Sequence, residues 1–184
     1  SRKGDPVRAS LAHPFDGHGA GVHGELRGIA DGGMTAAVIL LALVTAERLA
    51  ELWWARRNTE QLMKLGAIEH GASHYPLIVG LHVAWLGGLW FLGWAQPVSV
   101  FWLCVFLLLQ LGRTWVLISL GRRWTTRIVV LPNEPLVRTG PYRFLSHPNY
   151  VVVAGEIAVL PLCLGLPWYA VAFSIANALV LMIR

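Results

Sequence analysis

Charge is what this sequence has least of. Asp, Glu, Lys and Arg make up 14% of its 184 residues, where an average soluble domain carries about a quarter. Hydrophobic residues reach 55%, and the mean hydropathy is +0.56. That shortage excludes a disordered or fibrous chain and argues against a soluble globular enzyme. Cysteine is scarce too, with only two in the chain, which excludes a disulfide scaffold. Cys104 and Cys163 lack metal-ligand spacing and read as small buried apolar residues inside spans. No basic cluster with interleaved aromatics suggests nucleic acid, so the net charge of +5 needs another explanation. What the chain has in plenty is tryptophan, nine residues of it, and long apolar runs.

Residues 35–54, 75–95 and 98–120 are each about 20 residues, enough to cross ~30 Å of hydrocarbon. The run 151–184 is too long for one span. Pro161, Gly165 and Pro167 interrupt it, which predicts a helix, a tight turn and a second helix. Both are short, so tilt or local thinning is expected. Backbone in hydrocarbon must bond to itself. The reading is therefore an all-α polytopic membrane protein of about five transmembrane helices, the apolar runs being helices and not strands.

Lys and Arg explain the net charge as topology. Arg56, Arg57 and Lys64 follow the first span; Arg122, Arg123, Arg127, Arg138 and Arg143 follow the third. The turns at Gln96-Pro97 and 164–167 carry none. The positive-inside rule puts the basic links and Arg184 in the cytosol and the N-terminus outside. Trp53, Trp54, Trp94, Trp102, Trp124 and Trp168 fall near span ends, as an aromatic belt would.

Residues 1–33 differ in composition, being rich in Gly, His, Arg and Asp. His13, His18 and His23 recur every five residues, a spacing that does not stack side chains on one helix face. The expectation is a disordered leader outside the native domain, with Met34 as natural start and 34–184 as the domain.

Polar residues inside spans are functional candidates because burying charge in a bilayer is costly. Glu47, Arg48 and Glu51 share one side of the first helix, as an internal ion pair or the polar wall of a substrate cavity. Arg113 either snorkels to the interface or faces an anionic substrate. His82 reads as a hydrogen-bonded core histidine, and Glu156 as facing the bundle interior. The segment 134–150, "EPLVRTGPYRFLSHPNY", stands at the head of the fourth helix. Gly140-Pro141 and His147-Pro148 each disfavour helix at the first residue of the pair. A bent loop is predicted, and irregular backbone at membrane depth is tolerated where it lines a cavity.

"GPYRFLSHPNY" resembles the signature of the isoprenylcysteine carboxyl methyltransferase family of integral membrane methyltransferases. "LGRRWTTRIVVLPNEPLVRTGPYRFLSHPNYVVVAGEIAVLPL" is similar to its bacterial branch, and the likeness extends to "ERLAELWWARRN" and "GASHYPLIVGLH". The resemblance implies transmembrane helices around a cytosol-facing pocket for S-adenosyl-L-methionine, open to lipid for the acceptor. By position it nominates Glu134, Pro135, Leu136, Val137, Tyr142, His147, Pro148, Asn149 and Tyr150 as cofactor-binding. Ser146 stands where the pattern usually has Arg. Family members continue past the position of Arg184 with an Arg and paired Glu, so a truncated enzyme of weak turnover is expected.

The expected reaction moves a methyl group to an oxygen of a lipophilic acceptor, either a prenylcysteine-like carboxylate or an alkyl polyketide. The lipid tail concentrates and aligns the acceptor laterally. A carboxylate is already ionised, whereas a phenol or enol needs a base, for which His147 is placed. Tyr142 and Tyr150 offer aromatic faces to a sulfonium. Arg113 joins His147 as a catalytic candidate, and Arg127, Arg138 and Arg143 are candidates to pair with the cofactor's carboxylate or the acceptor's anion. The alternatives are a phospholipid amine N-methyltransferase and a non-catalytic membrane subunit. No metal site is expected. The expected location is the bacterial inner membrane, with the site facing the cytosol.

Overall fold

The computed structural model describes residues 18–71, 75–132 and 134–183, with side chains described from residue 32 onward. His13 and Arg184 lie outside the described residues, as do the side chains of His18 and His23. Helix α1 (His18–Lys64) has 47 residues, about 70 Å at 1.5 Å per residue. It overruns the expected span at both ends. Downstream, Glu51, Ala55, Asn58 and Leu62 are buried at steps of four and three, so one stripe stays against the protein after the apolar run has ended. Upstream, the backbone of residues 18–33 is helical. The composition boundary at Met34 is therefore not an element boundary.

Helices α2 (Tyr75–Gly93) and α3 (Val100–Leu120) follow. Three stretches, Gly32–Lys64, Tyr75–Gly93 and Val100–Arg123, are long and apolar enough to cross a membrane among the described residues. Helices α4 (Pro148–Cys163) and α5 (Pro167–Ile183) have 16 and 17 residues, about 24–26 Å and so short of a full crossing. Helix α4 packs against both α3 and α5. Leu41, Trp85, Leu89, Phe106, Ile157 and Leu160 form the core where α1 to α4 meet. The outer face is apolar as well: Phe91, Trp168 and Met182 are 81%, 84% and 83% exposed. Such a surface is a liability in water and natural against lipid tails.

Pro161 does not break the fourth helix where expected; it sits inside the last turn of α4. A proline there leaves the Ile157 carbonyl without its helical donor. Trp85 Nε1 donates to that carbonyl at 3.3 Å. The chain turns instead at Gly165, whose φ of 65° suits glycine. Leu166 N then donates to Pro161 O at 2.9 Å.

The apolar runs are helical as expected, and a short strand pair joins the links between them. Strands β1 (Ile68–His70) and β2 (Ile128–Val130) pair antiparallel, with Ile68 opposite Val130, Glu69 opposite Val129 and His70 opposite Ile128. They tie the two basic links together outside the apolar runs, where strand edges meet no hydrocarbon. Arg127 holds the pair, its Nη1 3.1 Å from the Glu69 carboxylate and its guanidinium 4.8 Å from the Tyr75 ring centroid.

Two smaller expectations also change. Trp53, Trp94 and Trp168 are exposed, as belt residues would be, but Trp124 is 4% exposed and packs with Ala55, Val116 and Val152. Cys163 is buried, whereas Cys104 is on the exposed face of α3. Most of the circumference of α3 faces outward, so a small residue there is not automatically core.

Candidate active site

Two polar centres are built on these helices. The first lies inside the bundle. Arg113 of α3 is buried and donates from Nε and Nη2 to the two carboxylate oxygens of Glu51 on α1. Its Nη1 donates to Glu156 of α4 at 2.8 Å. Arg48 completes the ring, 3.0 Å from both Glu51 and Glu156. Glu47 accepts from Gln110 Nε2 and lies 3.7 Å from Arg48. Three carboxylates thus face two guanidiniums across three helices. Arg48 Nε and Gln110 Oε1 are buried there without a partner. The ion pair expected within α1 is an interhelical cluster, and Arg113 neither snorkels nor faces open space. His82 Nδ1 lies 2.8 Å from the Ile78 carbonyl and is half-buried, as expected of a bonded core histidine.

The second centre is the kinked segment before α4. A 3₁₀ turn at Gly121–Arg123 ends α3. Asn58 Nδ2 donates to the carbonyls of Gly121 at 3.1 Å and Trp124 at 2.9 Å, fixing this corner to α1. Arg123 then reaches forward: Nη1 donates to Pro135 O at 2.6 Å, and Nη2 bonds the Glu134 carboxylate. Beyond it, Gly140 has φ 59°. A Cβ at Gly140 would run into Ser119 Oγ and Trp115. Only glycine lets the segment press onto the end of α3 in this conformation. A second 3₁₀ turn, Gly140–Arg143, buries Pro141. The backbone is irregular up to Pro148, which opens α4 from its favoured first helical position. The bent loop predicted from the two Xaa-Pro pairs is what the structure contains.

The rings of His147 and Tyr150 stack, centroids 5.3 Å apart and planes 16° apart, with His147 exposed. Tyr142 packs half-buried on the cluster of Ala55, Val116, Trp124 and Val152. Burial raises its phenol above the usual range, and the nearby Tyr150 adds to the effect. Asn149 Oδ1 and Trp124 Nε1 are buried polar atoms without a partner among the described residues. Such orphans are rare and want an explanation. Leu136 is 81% exposed, Pro135 and Glu134 are exposed, and Val137 is half-buried.

The nominated residues form two groups, 134–137 and 142–150. The dipeptide Arg123-Trp124 joins them, since Arg123 holds Glu134 and Pro135 while Trp124 packs beside Tyr142. Arg113 belongs to the other centre, with Glu156, nine residues beyond His147 and so about 13 Å further along the chain's helical path. Arg123, Trp124 and Asn58 stand in this segment's contacts without being singled out by the sequence, which reads Arg123 as topology and Trp124 as belt. Asn58 was legible as a polar residue on the 51-55-58-62 stripe.

These features define an α-helical membrane protein with a kinked, partly unsatisfied polar segment at the head of its fourth helix. Residues 102–184 match the isoprenylcysteine carboxyl methyltransferase family. The uncharacterized protein YpbQ of Bacillus subtilis (strain 168) is 40% identical over 156 residues, covering 79% of this chain and 90% of that protein. No solved structure matches. The chain belongs to the isoprenylcysteine carboxyl methyltransferase family, and so to the membrane methyltransferases.

Proposed function

We propose that this protein is an S-adenosyl-L-methionine-dependent O-methyltransferase acting on a lipophilic carboxyl or hydroxyl compound at the membrane surface. The observation that carries this reading is the segment before α4, where aromatic faces and orphaned polar atoms lie together at the head of an apolar helix. Those residues fit the cofactor. Asn149 Oδ1 is a free acceptor for an ammonium or a ribose hydroxyl, and Trp124 Nε1 a free donor. Tyr142, Tyr150 and His147 present rings for an adenine or a sulfonium, an interaction worth ~0.5–2 kcal/mol per aromatic face. Arg123 takes the Pro135 carbonyl and the Glu134 N–H meets Leu131 O, which leaves the backbone of Leu136 and Val137 as the part of this stretch that would bind the cofactor. S-adenosyl-L-methionine supplies an electrophilic methyl group on a cationic sulfur.

The chain's own residues then have limited work to do. A carboxylate acceptor, such as a prenylcysteine-like one, needs alignment and partial removal of water. A hydroxyl acceptor, such as an alkyl polyketide, must lose a proton as the new bond forms. The exposed imidazole of His147 accepts that proton. The exposed apolar faces of Leu136, Phe144 and Leu145 beside the segment suit an acceptor held by its tail in lipid. Arg113, nominated as catalytic, reads better as a positioning residue, because both its carboxylate partners already occupy it. The basic links favour a cytosolic site in a bacterial inner membrane.

Calorimetry with S-adenosyl-L-methionine on the purified protein tests cofactor binding. Mass spectrometry after incubation with methyl-labelled cofactor and a bacterial lipid extract tests the reaction. A labelled methyl ester or ether is expected. A label found only on amine nitrogen, or no cofactor binding, overturns the reading.

A further inference from the structure

A cleft opens at the same corner, between the end of the apolar stretch of α1 and the turn that follows α3. It has a volume of about 520 Å³ and is lined by Trp53, Trp54, Arg57, Asn58, Gln61 and Arg122. That size is ample for a small polar group. The cleft is a built feature, because Asn58 is 3% exposed and its amide clamps Gly121 and Trp124. The clamp fixes the turn that carries Arg122, which lines the cleft together with Arg57.

Most of the basic residues around this corner already have a carboxylate. Arg56 meets Glu60 at 3.3 Å, Arg127 meets Glu69 at 3.1 Å, and Arg123 meets Glu134. Arg57 and Arg122 meet none among the described residues. Arg57 instead lies 5.8 Å from the Trp53 ring centroid, which orients it. Two guanidiniums facing one cleft repel each other unless an anion lies between them. Guanidinium forks match the oxygens of phosphate. Trp53 is 65% exposed at the end of the apolar stretch of α1, where a tryptophan marks the headgroup level.

We propose that the cleft is a phosphate-binding site, with Arg57 and Arg122 gripping the anion and Trp53 and Trp54 flanking it. A phospholipid headgroup and free phosphate share that chemistry. The cleft shares no lining residue with those assigned to the cofactor, and Asn58 alone links the two through its clamp on Trp124.

The test uses the full chain purified in detergent and offered phosphatidylglycerol, phosphatidylcholine or inorganic phosphate. Bound lipid is counted by native mass spectrometry, and phosphate binding is read from the melting temperature. Arg57→Gln/Arg122→Gln should lose about ten-fold in phosphatidylglycerol retained or in phosphate-dependent stabilisation. The control Arg56→Gln/Lys64→Gln removes the same charge from the same face and should keep most of the binding. Retention of phosphatidylglycerol unaffected by inorganic phosphate identifies a lipid headgroup; stabilisation by inorganic phosphate without lipid retention identifies the free anion. Neither ligand binding, or the control losing as much as the cleft variant, overturns the site.

Discussion

The two polar centres differ in how their groups are answered. In the buried cluster every charged group meets an opposite charge, Glu47 from its own helix and the others from another helix as well. In the kinked segment the orphaned groups are neutral, and the aromatic faces are open or half-open. The first arrangement is answered in charge, with Arg48 Nε and Gln110 Oε1 its only orphaned atoms among the described residues, whereas the second is not built on charge pairs. Polarity in the membrane therefore does not by itself mark a site. Groups that need a partner from outside do.

The largest expected effect follows from breaking the charge-paired centre. Glu156→Ala takes the acceptor from Arg48 Nη2 and Arg113 Nη1, leaves both buried guanidiniums to share Glu51, and should cost about 3–5 kcal/mol. Thermal unfolding in detergent measures it, and a melting point close to the parent's would mean the cluster is not structural.

The kinked segment should behave the other way. His147→Ala should lower methyl transfer by ~100-fold or more while changing stability by less than ~0.5 kcal/mol, as for an exposed residue. Cofactor calorimetry beside a melting curve separates the two. Normal cofactor binding, with loss confined to hydroxyl acceptors, would assign His147 to proton transfer alone.

Gly140→Ala should fall between them, at about 1–3 kcal/mol, because it adds a Cβ at positive φ against Ser119 and Trp115. Removing the Ser119 hydroxyl as well should recover only the clash, leaving the backbone strain. Full recovery in the double variant would show that the conformation at Gly140 is unstrained.

The smallest effect is a pH dependence. Burial raises the Tyr142 phenol above its ordinary 10.0, so the fold prefers the neutral form. The stability this contributes is present below pH 10 and falls as the pH rises through the raised value. Unfolding compared at pH 9 and 11 should show the loss, and Tyr142→Phe should flatten it.

Much of the fold was legible in composition. Apolar runs located α2 and α3 to within a few residues, and a pattern of proline and glycine divided the last two helices. The fine placement was not legible at Pro161. Whether a proline breaks a helix depends on who takes the freed carbonyl, and Trp85 comes from 72 residues away in sequence. The strand pair was hidden for a similar reason, because each three-residue strand is defined only by its partner. Within the site, the kink at Gly140-Pro141 and His147-Pro148 followed from local sterics. Trp124 did not, because its position near a span end suggested an interface, while packing against Ala55 and Val152 buried it.

The sequence alone determined that this chain is a helical membrane protein with a bent segment at the head of its fourth helix. Those properties rest on local quantities, namely side-chain hydropathy and the backbone restrictions of proline and glycine. Only the tertiary structure decided which polar residues answer one another. It turned Arg113 inward onto Glu51 and Glu156, and left Asn149, Trp124, Arg57 and Arg122 waiting for partners. Pairing across helices depends on how the helices face each other, and no single stretch of sequence contains that.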